Sequence, residues 1–128
     1  MKNNAAIISL LLLGLVSQAS ALEWTRKLIT MTPERGAGEV RVKYEFKNTG
    51  HAAVHILGVT TSCGCTVADA DLSVIPAGGT GSIGAIFTVG QRRGLQEKKI
   101  FVETDESAGP VTLELKIQLP EGSGKKKD

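Results

Sequence analysis

Cysteine, aromatic residues and helical patterning are scarce in this chain. It has 128 residues, of which two are cysteine, one tryptophan, one tyrosine and three phenylalanine. The two cysteines are too close in sequence to bridge distant parts of a fold, so a core must hold by packing. No stretch after Ala21 combines helical spacing, caps and adequate length. These absences argue against a helical protein and against a disulfide framework.

A surplus of charge of one sign is also missing. Residues 22–120 contain 11 basic and 11 acidic side chains, 11 − 11 = 0 net charge. A neutral domain lacks the basic footprint of a nucleic-acid-binding protein, so we expect no nucleic-acid partner. The segment that follows, residues 121–128, is a glycine- and serine-containing tail with three lysines and is expected to be flexible.

The first 21 residues have the layout of a secretory signal peptide. Lys2 supplies a positive start, Ala5–Val16 is largely apolar, and Ala19-Ser20-Ala21 is a triplet of small residues. This pattern predicts cleavage after Ala21. The apolar run is well short of the ~20 residues that span a bilayer. We therefore expect a periplasmic or secreted protein, with no membrane span in its mature form, in an oxidising compartment.

Alternation of polar and apolar residues predicts strands rather than helices. Glu39–Lys47 alternates strictly, as expected of a half-buried strand, and glycine, proline and asparagine turns separate the other candidates. The predicted strands are Glu39–Lys47, a central strand Val54–Val59, Ile83–Val89, Lys98–Glu103 and Val111–Leu119, with a first strand in Leu22–Met31 and a further one in Thr66–Ile75. The expected fold is all-β, an immunoglobulin-like antiparallel sandwich of about seven strands over residues 22–120.

The same alternation predicts which side chains form the core. The inward positions of the first long strand are Val40, Val42, Tyr44 and Phe46. The inward aromatic residues are expected to be Tyr44, Phe46, Phe87 and Phe101, with Trp24 covering one end of the domain.

One motif suggests a cofactor site and is rejected. Gly79–Gly84 matches G-x-G-x-x-G, which in dinucleotide-binding proteins connects a strand to a helix. Here the glycines lead into a strand, so the helix N-terminus that would hold a pyrophosphate is missing. No hydrolase constellation appears elsewhere, and we expect a non-enzymatic protein without an organic cofactor.

The two cysteines lie together, as Cys63-Gly64-Cys65. Three interpretations stay open at this point. The first is a local disulfide, which requires a bend that brings the Cα atoms to about 4.4–6.8 Å. The second is a redox dithiol that exchanges with partner proteins. The third is a soft-metal site, since two thiolates on a tight turn suit Cu(I).

Two histidines could complete such a metal site. His51 follows a turn, and His55 begins an apolar strand. With Cys63 and Cys65 they make four potential ligands, although the spacing is unlike common zinc patterns. In one regular strand the two histidines would be about 13 Å apart, too far for a single ion to bind both.

Several short motifs resemble a known family. Phe46-Lys47-Asn48-Thr49-Gly50, Ser62-Cys63-Gly64-Cys65-Thr66 and Ile75-Pro76-Ala77-Gly78-Gly79 occur in an order similar to that of the bacterial exported family called domain of unknown function 1573. The resemblance covers about residues 34–119. It implies an immunoglobulin-like sandwich related to the Hydin and major sperm protein group, and it implies no established activity.

The leading functional hypothesis from the sequence is an exported, non-catalytic sandwich that binds a soft metal ion such as Cu(I). Cys63 and Cys65 would be the ligands, Gly64 the hinge, and His55 or His51 additional ligands. The alternative is a protein–protein interaction or assembly module in the periplasm with a structural Cys63–Cys65 disulfide, or a thiol–disulfide exchange partner. Exposed edge strands would serve such a module.

Overall fold

The structure is a computed structural model that describes residues 20–64, 66–70, 74–106 and 109–121. Most of the predicted signal peptide and tail, and Cys65, lie outside the described residues. Within the described residues the strands are β1 (Leu22–Trp24), β2 (Leu28–Met31), β3 (Glu39–Asn48), β4 (Val54–Thr61), β5 (Thr66–Ala70), β6 (Val74–Ile75), β7 (Thr80–Thr88), β8 (Leu95–Thr104) and β9 (Val111–Gln118). In the same part of the chain no helix is long and apolar enough to cross a membrane.

The strands form two sheets. One has four strands in the order β1-β3-β7-β5, and the other has five in the order β2-β9-β8-β4-β6. All neighbours are antiparallel except β2 and β9, which are parallel. Apolar side chains of both sheets meet between them, as in other sandwiches. The all-β sandwich expected from the sequence is confirmed.

Nine strands replace the seven expected because two predicted segments are each divided. The segment Leu22–Met31 forms β1 in the four-stranded sheet and β2 in the five-stranded sheet. Thr25 still donates its N–H to the Glu45 carbonyl on β3 at 3.0 Å, whereas the Lys27 carbonyl accepts from the Glu114 N–H on β9 at 2.7 Å. The chain therefore changes sheet within residues 25–27. The segment Thr66–Ile75 is divided in the same way into β5 and β6.

The burial of side chains in β3 follows the alternation of polar and apolar residues in its sequence. Val40, Tyr44 and Phe46 are buried and Val42 is half-buried, while the intervening charged residues are exposed. Trp24 packs beside Phe46, with ring centroids 4.9 Å apart at an interplanar angle of 53°. The inward positions of β3 are therefore confirmed.

One prediction about the five-stranded sheet is wrong. Phe101 faces outward and is only half-buried. Its neighbours Ile100 and Val102 are fully buried, and successive side chains of a strand point to opposite faces. Three consecutive apolar residues leave the inward face undecided until pairing fixes it. β4 lies between β8 and β6, so it is not the edge strand of its sheet.

Tyr44 connects the two sheets. Its hydroxyl, in a side chain with no exposed surface, donates to the backbone carbonyl of Glu114 on β9 at 2.6 Å. Burial, with a further contribution from the Glu114 carboxylate, raises the pKa of Tyr44 to about 12. The hydroxyl therefore stays protonated, and able to donate, well above neutral pH.

Candidate functional site

The residues that follow β4 include Cys63, and we call residues 62–64 the cysteine turn. The Thr66 N–H donates to the Cys63 carbonyl at 3.1 Å, which ties the start of β5 to this turn. The Thr61 hydroxyl lies 3.0 Å from the same carbonyl and 2.8 Å from the carbonyl of Thr66. Gly64 is exposed, and a Cβ atom at that position would meet no atom within 4 Å. The turn is therefore held by backbone and threonine hydrogen bonds, with space around its tip.

Cys63 belongs partly to the core. It is half-buried and packs against the buried cluster of Val40, Phe87, Leu115, Ile117 and Leu119. Cys63, the one cysteine among the described residues, is not a free thiol. Two reciprocal contacts fix the preceding residue, since the Ser62 N–H donates to the Lys99 carbonyl at 2.9 Å and the Lys99 N–H donates to the Ser62 hydroxyl at 3.0 Å. The base of the cysteine turn is therefore anchored to β8.

The structure does not bring the predicted histidine ligands to Cys63. His51 is exposed in the connection between β3 and β4, and His55 is exposed near the start of β4. Cys63 follows the opposite end of β4, and the six residue steps from His55 to Thr61 alone extend about 20 Å. Among the described residues, no three His, Cys, Asp or Glu side chains are grouped so that they could hold a metal ion. Metal binding by Cys63 with Cys65 stays a prediction, because Cys65 lies outside the described residues.

On its outer side, β4 pairs with β6 at Val54 and His55. β5 of the other sheet also approaches β4. Among the described residues, no strand of the same sheet is hydrogen-bonded to Leu57–Thr61 on that side. We call this side of Leu57–Thr61 the β4 edge. Ile56 opposes Thr104 and Gly58 opposes Glu103, which makes Leu57 the extra residue of a β-bulge.

Two exposed apolar side chains flank the start of the β4 edge. Leu57 is 54% exposed, and Val74 on β6, opposite His55, is 55% exposed. Exposed branched side chains beside an unpaired backbone are features of a surface that can accept a further strand. Leu95, at 53% exposed, lies near the far end of β8 and is not part of this edge.

Asn48 connects the Asn-Thr-Gly motif to the Ile-Pro-Ala-Gly-Gly motif. From the sequence this residue was predicted only to end a strand at a turn. Its side chain is fully buried, and its amide Nδ2 donates to the carbonyls of Ala52 at 2.9 Å and Ile75 at 3.0 Å. Its Oδ1 accepts from the Gly50 N–H at 3.0 Å. The Asn48 backbone exchanges hydrogen bonds with Gly79 and Gly78 at 2.8 and 2.7 Å.

Asn48 therefore joins the Asn-Thr-Gly turn to the Ile-Pro-Ala-Gly-Gly turn, which holds β6 against the start of β4. The co-occurrence of these two turns in the sequence was the available signal for this contact. The bulge at Leu57 also had a signal, because the consecutive apolar residues Ile56 and Leu57 interrupt the alternation of β4.

Comparison with known proteins decides the family. The model of a protein family of unknown function, DUF1573, matches residues 22–119. The chain belongs to the DUF1573 family. The family predicted from the sequence is thereby confirmed. No curated protein matches the chain.

Solved structures agree on the fold. A protein of unknown function from Porphyromonas gingivalis W83 has a TM-score of 0.67 at 16% identity, over 83% of this chain and 51% of that one. WR4, a Caenorhabditis elegans member of the MSP family, has a TM-score of 0.56 at 9% identity, over 79% and 99% of the two chains. The E. coli chaperone DraB has a TM-score of 0.55 at 11% identity, over 79% and 55%. The chain spans about half the length of the Porphyromonas protein. The fold of this DUF1573 domain is therefore immunoglobulin-like, of the type shared with MSP proteins.

Proposed function

We propose that this DUF1573 protein is an exported, non-catalytic interaction module that binds an extended segment of a partner protein along the β4 edge. The observation that carries the proposal is the pairing of β6, which among the described residues covers two residues of the eight-residue strand β4. The partner segment would pair with the described residues of β4 beyond His55.

The backbone of the β4 edge is oriented for pairing. The Ser62 N–H donates to the Lys99 carbonyl, and antiparallel strands alternate between bonded and non-bonded pairs. Thr60, opposite Phe101, is therefore in the next bonded pair with β8. Val59 and Thr61 direct their N–H and C=O groups to the other side, where a partner strand would bind them.

The side chains supply the apolar part of the contact. A strand added to the β4 edge would lie beside Leu57 and Val74, each more than half exposed. Its backbone hydrogen bonds would give affinity, and contacts with these two side chains would select apolar residues in the partner. The bulge at Leu57 twists the strand locally, which limits indiscriminate pairing with other sheet edges.

The structural relatives support a protein partner rather than a catalytic role. DraB is described as a chaperone, and it shares the sandwich fold with this chain at low identity. The family itself has no stated function. The argument for this chain therefore rests on its own edge, with the relatives as supporting context.

The same proposal includes a structural disulfide between Cys63 and Cys65. Cys63 is not a free thiol, and Cys65 is the only other cysteine in the chain. Export to an oxidising compartment favours the bonded form. Such a bond would fix the turn at the end of the β4 edge and leave the pairing groups of Val59 and Thr61 in place.

The proposal is tested by capture of partners from the native compartment with matched variants. Leu57→Asp places a charge at the β4 edge, and Leu95→Asp places the same charge at an equally exposed leucine elsewhere. We expect the Leu57 variant to lose a partner that the wild type and the Leu95 variant both retain. Equal capture by all three proteins would contradict the proposal.

A second measurement locates the contact. In the complex, exchange of the amide protons of Val59 and Thr61 should slow, whereas unchanged exchange at these positions would place the partner elsewhere. The Cys63→Ser/Cys65→Ser variant should still capture the partner. Loss of the partner from that variant alone would favour thiol exchange or metal binding over strand addition.

A further inference from the structure

Ser20 and Ala21 lie before the cleavage point predicted from the sequence, yet they are bound into the domain. The Ala21 carbonyl accepts hydrogen bonds from the Thr49 N–H at 2.8 Å and from the Thr49 hydroxyl at 3.1 Å. The Ala21 N–H donates to Oε2 of Glu106 at 2.7 Å, and the Ser20 hydroxyl donates to Oε1 of the same carboxylate at 3.0 Å. Cleavage after Ala21 would remove all four contacts.

The Asn-Thr-Gly turn also packs closely against Ala21. A Cβ atom added to Gly50, the glycine of the Asn-Thr-Gly turn, would lie 2.8 Å from the Cβ of Ala21. Real Cβ atoms do not approach so closely, so the glycine leaves the space that the Ala21 methyl group occupies. Thr49 therefore binds Ala21 and Gly50 makes room for it, and the predicted cleavage would remove Ala21.

The alternative product of cleavage after Ala21 would begin within the core. Its first residue would be Leu22, whose side chain is buried at 3% exposure. Leu22 is moreover the first residue of β1 and pairs with Asn48.

We infer that signal peptidase cuts this chain between Ala19 and Ser20. Ser17-Gln18-Ala19 is also a small-x-small triplet of the kind that precedes a cleavage site. Hydrolysis of that peptide bond by water leaves a carboxylate on Ala19 and an α-ammonium on Ser20. The new ammonium belongs to a residue whose hydroxyl already contacts Glu106, so the carboxylate becomes its ion-pair partner.

This inference depends on export, which is part of the proposed function, but the two can fail separately. The full chain is produced with its own leader in a bacterial host, and the exported protein is analysed by N-terminal sequencing and intact mass. We expect the sequence Ser-Ala-Leu-Glu-Trp. A protein that begins Leu-Glu-Trp would overturn the inference and leave export intact. An uncut chain would overturn both.

A second experiment tests the physical reason. Chains that begin at Ser20 and at Leu22 are compared by thermal unfolding, and the longer chain should melt at least about 4 °C higher. Glu106→Gln should lower the melting temperature of the Ser20 chain more than that of the Leu22 chain, and Glu103→Gln, at an exposed carboxylate, should affect both equally. Equal melting temperatures of the two chains would remove the structural basis of the inference.

Discussion

Removal of the Asn48 side chain should destabilise the whole domain, although the residue belongs to a turn motif. Three side-chain hydrogen bonds, at 2.9, 3.0 and 3.0 Å, end on a residue with no exposed surface. Each contributes about 1 kcal/mol net, and a buried group left unpaired costs about 1–3 kcal/mol. We therefore expect Asn48→Ala to lower the free energy of unfolding by about 3 kcal/mol or more.

This loss is large for a domain of this size. Small domains are stable by about 5–15 kcal/mol in total. A decrease of about 3 kcal/mol corresponds to a fall in melting temperature of about 12–24 °C for a domain of about 100 residues. Urea unfolding is the suitable assay, because the single tryptophan, Trp24, is half-buried against Phe46 and its fluorescence reports unfolding.

An isosteric substitution separates the hydrogen bonds from the loss of volume. Asn48→Asp keeps the acceptor for Gly50 but places a carboxylate oxygen beside the carbonyls of Ala52 and Ile75. The protonated acid can donate to one of them and the carboxylate to neither, so the pKa of the introduced side chain is raised. Its stability should therefore be greatest below the ordinary Asp pKa of about 3.9 and fall as pH rises above that value. Asn48→Ala should show no such additional pH dependence.

The control is Gln118→Ala, which removes an exposed amide with one hydrogen bond and should change stability by less than about 0.5 kcal/mol. If Asn48→Ala cost no more than this control, the interpretation of Asn48 as the junction of the two turns would be refuted. A flat pH dependence for Asn48→Asp, relative to the wild type, would contradict the assigned direction of its amide.

Further predictions concern the core and the cysteine turn. Because the pKa of Tyr44 is raised from 10.0 to about 12 in the folded protein, stability is fully present below pH 10 and falls by about 2–3 kcal/mol as pH rises from about 10 to 12. Tyr44→Phe should remove this decrease, and phenolate absorbance of the single tyrosine measures the titration directly. Gly81→Ala places a Cβ atom 2.6 Å from the Phe46 ring and should cost about 1–3 kcal/mol, whereas Gly58→Ala, with its nearest atom at 3.9 Å, should cost less in the same urea assay. Intact mass after alkylation of the exported protein should show no modified cysteine, and two modified cysteines would remove the proposed disulfide.

Strands with strict alternation were predictable from the sequence. The prediction for β3 differs from the structure by one residue, and that for β9 also differs by one. A strand with one buried face must alternate apolar and polar residues, so its pattern carries its own orientation.

The division of Leu22–Met31 between two sheets was not predictable. Both pieces have the composition of strands, and their assignment depends on pairing with β3 and β9, which are distant in sequence. The orientation of Phe101 was undecided for a related reason, because its neighbours Ile100 and Val102 are equally apolar. Pairing with Thr60 and Thr112 determines which face it occupies.

The sequence by itself determined an all-β chain, its main strands and its family. All of these features follow from local sequence patterns of about two to ten residues. Only the tertiary structure decided that Asn48 is buried between two turns, that His55 lies far from Cys63, and that β4 lies between β8 and β6. These features depend on which distant segments become neighbours, and the free energy that selects the neighbours comes from the packed sandwich as a whole.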